Sequence, residues 1–163
     1  MRLLSVAAMV CALASGCAER GDSAQPDAPT AARPSASAML DAAIAGDHRT
    51  AEEKARDAWR HPKETLAFFG VEPDMTVVEI WPGGGWYTKI LAPYLASGGG
   101  VYIAAQRDPA SSARAAEAVQ KFKDAYADTA LYGDIRISVL GKDADIAPEG
   151  TVDVVLTFRN VHN

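Results

Sequence analysis

The stretch Val77-Val78-Glu79-Ile80-Trp81-Pro82-Gly83-Gly84-Gly85-Trp86-Tyr87-Thr88 decides how the rest of the chain is read. Thr76 to Ile80 is β-branched apart from Glu79, as suits a buried strand. From Tyr87 a helical period begins that puts Ile90, Leu91 and Leu95 on one face. Between them Gly83, Gly84 and Gly85 let backbone approach a ligand closely and leave N–H groups at the helix start for an anion. Strand, glycine turn and helix in this order predict a turn for a nucleotide-type cofactor; the bland alternative is a turn that merely joins two elements. Glu79, a carboxylate in an apolar strand, must be paired or face a polar cleft. At the carboxyl end of a strand its expected partner is a ligand cation, the alternative being N–H groups of its own turn.

A dinucleotide turn wants G-x-G-x-x-G, and here Gly83-x-Gly85-x-x is completed by Thr88, so the glycine for close helix packing is absent. An acid at the end of the first strand followed by Pro82-Gly83-x-Gly85 instead resembles motif I of the class I S-adenosylmethionine-dependent methyltransferases. The longer run Arg60-His61-Pro62, Phe68-Phe69-Gly70-Val71 and Trp81 to Thr88 is similar to their exported branch. The resemblance implies an α/β fold, a Rossmann-like doubly wound parallel sheet of order 3-2-1-4-5-7-6, with S-adenosylmethionine as cofactor. It places Glu79 on the methionine ammonium, Trp81, Pro82, Gly83, Gly84 and Gly85 beside the amino acid moiety, Gln106 at the ribose, and Asp143 with Ala144 at the adenine. Two departures stand out. Many members have glycine where this chain has Trp81, and the acid that usually ends the second strand is replaced by Ala105 or Gln106, with Asp108 arriving late.

Order is expected from Met39, with a short helix through Ile44 stopped by Gly46 and a second from Thr50, whose capping-box partner is Glu53. The charges Arg49, Glu52, Glu53, Lys54, Arg56 and Asp57 read as a wet face. Pro62 opens another helix, whose Leu66, Phe68 and Phe69 need a core and which Gly70 ends. In the resembled family such helices cover the cofactor mouth, so Arg60 and His61 are candidates to line it, or else they hydrogen-bond locally at a helix junction. Val101 to Ala105 reads as an interior parallel strand, and Ser111 or Ser112 caps a helix with the stripe Ala115, Val119, Phe122 and Tyr126. Ile135 to Leu140 alternates like an edge strand, and Val152 to Phe158 is the fourth.

The chain thus supplies strands 3-2-1-4 of the expected order. An unpaired apolar fourth strand is an aggregation liability, so the sequence reads as a fragment whose C-terminal half is missing, or else a partner strand comes from another copy. Its last residues carry the expected chemistry. Methyl transfer is an in-line displacement that needs approach geometry, exclusion of water and sometimes a base. Arg159, Asn160 and His162 are placed by the resemblance to face the methyl group, His162 as base and the others orienting an acidic or carbonyl-bearing acceptor.

The 163 residues, 48% hydrophobic and 23% charged, suit one soluble domain, and the formal charge of −5 with scattered basic residues argues against nucleic acid as a partner. Residues 1–17 read as an export signal, with Arg2, the apolar run Leu3 to Leu13, and small residues before Cys17. That pattern resembles a lipoprotein signal in which Cys17 is lipidated and anchors the chain to a membrane, ordinary cleavage being the alternative. Residues 18–38, rich in Ala, Pro, Ser and Asp, read as a disordered tether, leaving 39–163 as the N-terminal part of the methyltransferase-like domain. No metal-ligand set is assigned. The expected function is an exported, periplasmic or envelope methyltransferase acting on a small molecule or envelope component. A binding module on the same fold that has lost catalysis, and an NAD-type oxidoreductase, remain as alternatives.

Overall fold

The computed structural model describes residues 33–160. Residues 1–17, most of the tether, and His162 lie outside them. The first helix, α1 (Ala36–Ala45), starts three residues earlier than expected because Ser35 caps it, its hydroxyl accepting from the Ala38 N–H. Met39, Leu40 and Ala43 form its buried face.

Thr50 opens α2 (Ala51–Ala55) with the capping box foreseen: Thr50 Oγ1 accepts from Glu53 N at 3.2 Å and Glu53 Oε2 accepts from Thr50 N at 2.9 Å. Replacing an N-cap threonine by alanine costs about 1 kcal/mol, so Thr50→Ala should lower the unfolding free energy by that amount in urea titration. Unchanged stability would show that the wall built on α2 does not depend on its cap. Of the adjacent charges, Glu52 and Arg56 are exposed as a wet face would have them, but Arg49 is buried. Arg49 is 3% exposed and grips Asp57 with two bonds of 2.9 and 2.6 Å, while a third goes to the Ile44 carbonyl. These bonds offset most of the cost of burying the guanidinium, although its Nε has no partner among the described residues. Two further turns follow, α3 (Asp57–Arg60) and α4 (Pro62–Phe68), hinged at His61 with φ 43°. In α4 only Leu66 and Pro62 are buried; Phe68, expected in a core, is 85% exposed, and Phe69 is exposed beside it.

Strand β1 (Thr76–Ile80) is central. It pairs in parallel with β2 (Val101–Gln106) on one side and β4 (Val154–Thr157) on the other, and β3 (Arg136–Val139) joins β2, so the order is β3-β2-β1-β4. The expected 3-2-1-4 arrangement of an all-parallel sheet is present. Both crossovers from β1 to β3 are helical, through α5 (Thr88–Gly98) and then α6 (Ala113–Ala125) with α7 (Thr129–Tyr132). Among the described residues the helices serve one face. The larger core cluster joins Val77, Tyr102, Ala104 and Leu156 to residues of α1, α4, α5, α6 and α7. Val78, Ile103 and Ala105, on the opposite face by the two-residue alternation of strands, meet only neighbouring strand residues and the connection carrying Leu140, Ile146, Ala147 and Val152. Among the described residues the second face carries no helix, and the α/β architecture with its all-parallel sheet is compatible with a Rossmann-like fold.

Helix α5 contains Pro93, which has no N–H to offer the carbonyl of Lys89 four residues back. That carbonyl instead accepts from His48 Nε2 at 2.7 Å, which fixes the loop after α1 against α5.

Candidate ligand site

Because Glu79 shares the parity of Val77, its side chain lies on the helix-covered face, at the carboxyl end of the central strand and under the first turn of α5. It is 2% exposed. Its Oε2 accepts from Tyr102 Oη at 2.5 Å and from Thr88 Oγ1 at 3.1 Å, and the two hydroxyls are 2.8 Å apart. The protein groups that bond it are two hydroxyls from β2 and α5 rather than N–H groups of its own turn. Among the described residues no hydrogen bond reaches the second oxygen, Oε1, and Glu79 lines a cavity of about 460 Å³. Burial pushes the carboxyl up from 4.5 to about 7, partly opposed by the two hydroxyl donors. Burial and then the Glu79 charge push the Tyr102 phenol well above its ordinary value, so it remains a donor.

The glycine turn forms the rim above. Pro82, Gly83 and Gly84 line the cavity. A β-carbon on Gly84 would meet nothing within 4 Å, whereas Gly83 takes φ 59°. Gly85 has another task. Its carbonyl accepts from Tyr126 Oη at 3.1 Å, and a β-carbon there would fall 1.7 Å from that oxygen, so this glycine admits α6 rather than a ligand. Trp81 precedes the turn at φ 46°, a left-handed conformation that costs a bulky residue about 1 to 3 kcal/mol. Its indole N–H is buried with no partner among the described residues, and the Arg107 guanidinium lies 4.6 Å over its ring. Trp81 also lines a second pocket of about 180 Å³ with Gly83, Gln106 and Arg107, so this residue borders both spaces.

The far wall comes from the end of β4. Asn160 Nδ2 donates to the Ile80 carbonyl at 2.9 Å and to that of Trp81 at 3.4 Å, tying this end to the start of the glycine turn. Arg159, at φ 62°, lines the cavity beside it. Phe158 stacks on Tyr87, with ring centres 3.6 Å apart and planes 11° from parallel. The near wall is the supposedly solvated α2–α3 segment. Glu53 ties it to α5 through Lys89 Nζ at 2.7 Å, and its carbonyl accepts from Trp86 Nε1 at 3.1 Å. Arg60 packs 4.4 Å over the Trp86 ring.

The residues singled out from the sequence therefore divide. Glu79, Trp81, Pro82, Gly83, Gly84, Arg159 and Asn160 converge on one cavity, joined by Arg60. Gln106 lies in the smaller pocket. Asp108 is turned away to cap the short 3-10 helix Pro109–Ser111, accepting from Ala110 N. Asp143 and Ala144 are exposed and line neither space, and His61 is an exposed junction residue. The partners Tyr102 and Thr88 were missed, although the parity of Tyr102 with Val77 was available from the alternation of β2. A larger groove of about 700 Å³ beside α1 is lined chiefly by small apolar residues and lacks convergent charged groups, so it does not compete as a binding site.

No family model matches this sequence, and no characterised protein or solved structure matches it. Among the described residues no group of three or more His, Cys, Asp and Glu side chains is arranged to hold a metal ion, and no helix is long and apolar enough to cross a membrane.

Proposed function

We propose that the cavity binds S-adenosylmethionine and that the protein is a methyltransferase with a sheet of the methyltransferase type, acting on a small-molecule or envelope acceptor outside the cytoplasm. The observation that carries this reading is the buried Glu79 carboxylate at the end of the central strand, with one oxygen bonded by two hydroxyls and the other at the cavity under an open glycine turn. A carboxylate so placed favours a cation, and the methionine ammonium is one. Glu79, Gly83 and Gly84 would hold the amino acid end. Gln106, in the pocket beyond Trp81, would meet the ribose, with a single amide in place of a carboxylate. When bound, the cofactor supplies an electrophilic methyl group. This chain supplies orientation and, through the Tyr87, Phe158 and Trp86 walls, exclusion of water. The further proposals of an export signal over 1–17 and lipidation at Cys17 rest on the sequence pattern alone.

Titration calorimetry of the full chain with S-adenosylmethionine and with NAD is the test. One equivalent of S-adenosylmethionine should bind and NAD should not. Affinity should fall about tenfold per pH unit as pH drops below 7, because Glu79 must then release a proton to receive the cation. Binding of NAD alone, or of neither, would remove the methyltransferase reading. A binding module without catalysis is the second reading, favoured by a tryptophan, Trp81, at the border of both spaces. Cofactor binding without turnover on any acceptor would select it.

A further inference from the structure

The cavity carries a charge arrangement that the Glu79 reading does not use. Arg56, Arg60 and Arg159 all line it, the first two from the α2–α3 segment and the third from the end of β4. Two other cations near it are neutralised by carboxylates, Arg49 by Asp57 and Lys89 by Glu53, whereas Arg60 has only the Trp86 ring beside its guanidinium. Of the two cavity carboxylates, Glu53 is taken by Lys89 and by Thr50 N, and Glu79 lies buried among hydroxyls. Among the described residues none of the three arginines has a carboxylate within ion-pair distance. Their mutual influence is registered at Arg60, whose pKa is lowered by burial and then by the charges of Arg56 and Arg159, against an opposing effect of Tyr87. A protein of formal charge −5 thus gathers three uncompensated guanidiniums at one mouth. One of them, Arg159, is held there in a left-handed conformation that glycine would occupy without strain.

We propose that Arg56, Arg60 and Arg159 form a binding site for the oxyanion of a small organic acid, a carboxylate or phosphate, whose apolar part lies on the Tyr87–Phe158 stack. Guanidinium forks match the planar or tetrahedral oxygens of such groups, and a concentrated positive field draws them from solution. That this acid is the methyl acceptor rests on the reading of the previous subsection; the oxyanion site itself does not.

Phenyl phosphate is the probe, with benzyl alcohol as its uncharged counterpart, both followed by tryptophan fluorescence of the full chain at constant ionic strength. Phenyl phosphate should bind and benzyl alcohol should not. Arg159→Gly and Arg56→Ala, at exposed positions, should each weaken phenyl phosphate by about tenfold or more, the loss expected for a charge-assisted hydrogen bond. Arg159→Gly should do so with a melting temperature unchanged or raised, since it relieves the left-handed backbone. Equal affinity in parent and variants, or no binding to the parent, would overturn the site. Saturating S-adenosylhomocysteine should leave phenyl phosphate binding in place. Competitive displacement would instead mean that the arginines hold the cofactor's own carboxylate, which overturns the acceptor assignment. Phenyl phosphate binding to a protein that ignores S-adenosylmethionine would support the oxyanion site while removing the methyl-transfer reading.

Discussion

Glu79→Gln is expected to leave the ligand-free protein about 3 kcal/mol more stable than its parent at pH 8 while weakening S-adenosylmethionine by about ten- to a hundredfold. The folded carboxyl ionises at about 7 and an ordinary one at 4.5, so between those values the folded protein keeps a proton that the unfolded chain has released. Stability from this group is therefore fully present below pH 4.5 and is lost as pH rises through 7. At about 1.4 kcal/mol per pH unit, that window is worth about 3 kcal/mol. Glutamine cannot ionise. Its carbonyl can take the two hydroxyl donors of Tyr102 and Thr88, and its amide can face the cavity in place of Oε1. Urea unfolding at pH 5, 6, 7 and 8 should give a falling line for the parent and a flatter one for the variant. Parallel lines would mean that burial of this carboxyl does not govern stability. From the strand pattern alone, the same substitution is expected to leave the empty protein's melting temperature nearly unchanged; a carboxyl only 2% exposed alters that.

Gly85→Ala should be the most damaging change in the glycine turn, costing about 3 to 6 kcal/mol. The new methyl would sit 1.7 Å from Tyr126 Oη and 2.7 Å from its ring carbon Cζ, in a helix-packed core, and at φ 72°. Overpacking costs about 1 to 3 kcal/mol, a left-handed alanine about 1 to 2, and the bond from Tyr126 Oη to the Gly85 carbonyl about 1 more. Gly84→Ala, by contrast, meets open space and should change stability by less than about 1 kcal/mol. Pairing Gly85→Ala with Tyr126→Phe removes the nearest atom and should recover part of the loss. Thermal melts of the three variants beside the parent check this. Equal melting temperatures for Gly84→Ala and Gly85→Ala would show that α6 yields freely and that Gly85 is not a packing glycine.

What the sequence made legible is what local pattern controls. The β-branched run of β1, the capping box at Thr50 and the helical stripe Ala115, Val119, Phe122 and Tyr126 each express a period or a short-range hydrogen bond, and each is found. The strand order was expected from the resemblance rather than from any local pattern, and the order β3-β2-β1-β4 agrees with it. The charged segment from Arg49 to Arg60 was not legible. Its residues alternate between salt-bridged anchors and cavity arginines, and the difference lies in Asp57, Lys89 and Trp86, brought alongside by tertiary packing. The role of Gly85 was hidden for the same reason, since Tyr126 approaches it from 41 residues away. Phe68 shows the converse: an apolar residue in a helix declares that it has a face but not whether that face is covered.

The two sides of β1 are closed on different schedules. Its pairing with β2 is made across one helical crossover, whereas its pairing with β4 must close a loop of nearly half the chain, as the Thr76 N–H to Asp153 carboxylate bond, 77 residues apart in sequence, records. Loop closure of that length costs chain entropy before any contact offsets it, so β4 is expected to dock onto a β1–β2 unit already formed, which pulsed hydrogen exchange would show as later protection of the β4 amides. Phe158, Arg159 and Asn160 ride on that late strand. On that expectation the cavity lined by these residues would form late in folding and open early, and a ligand bridging its walls would act as a latch on the fold.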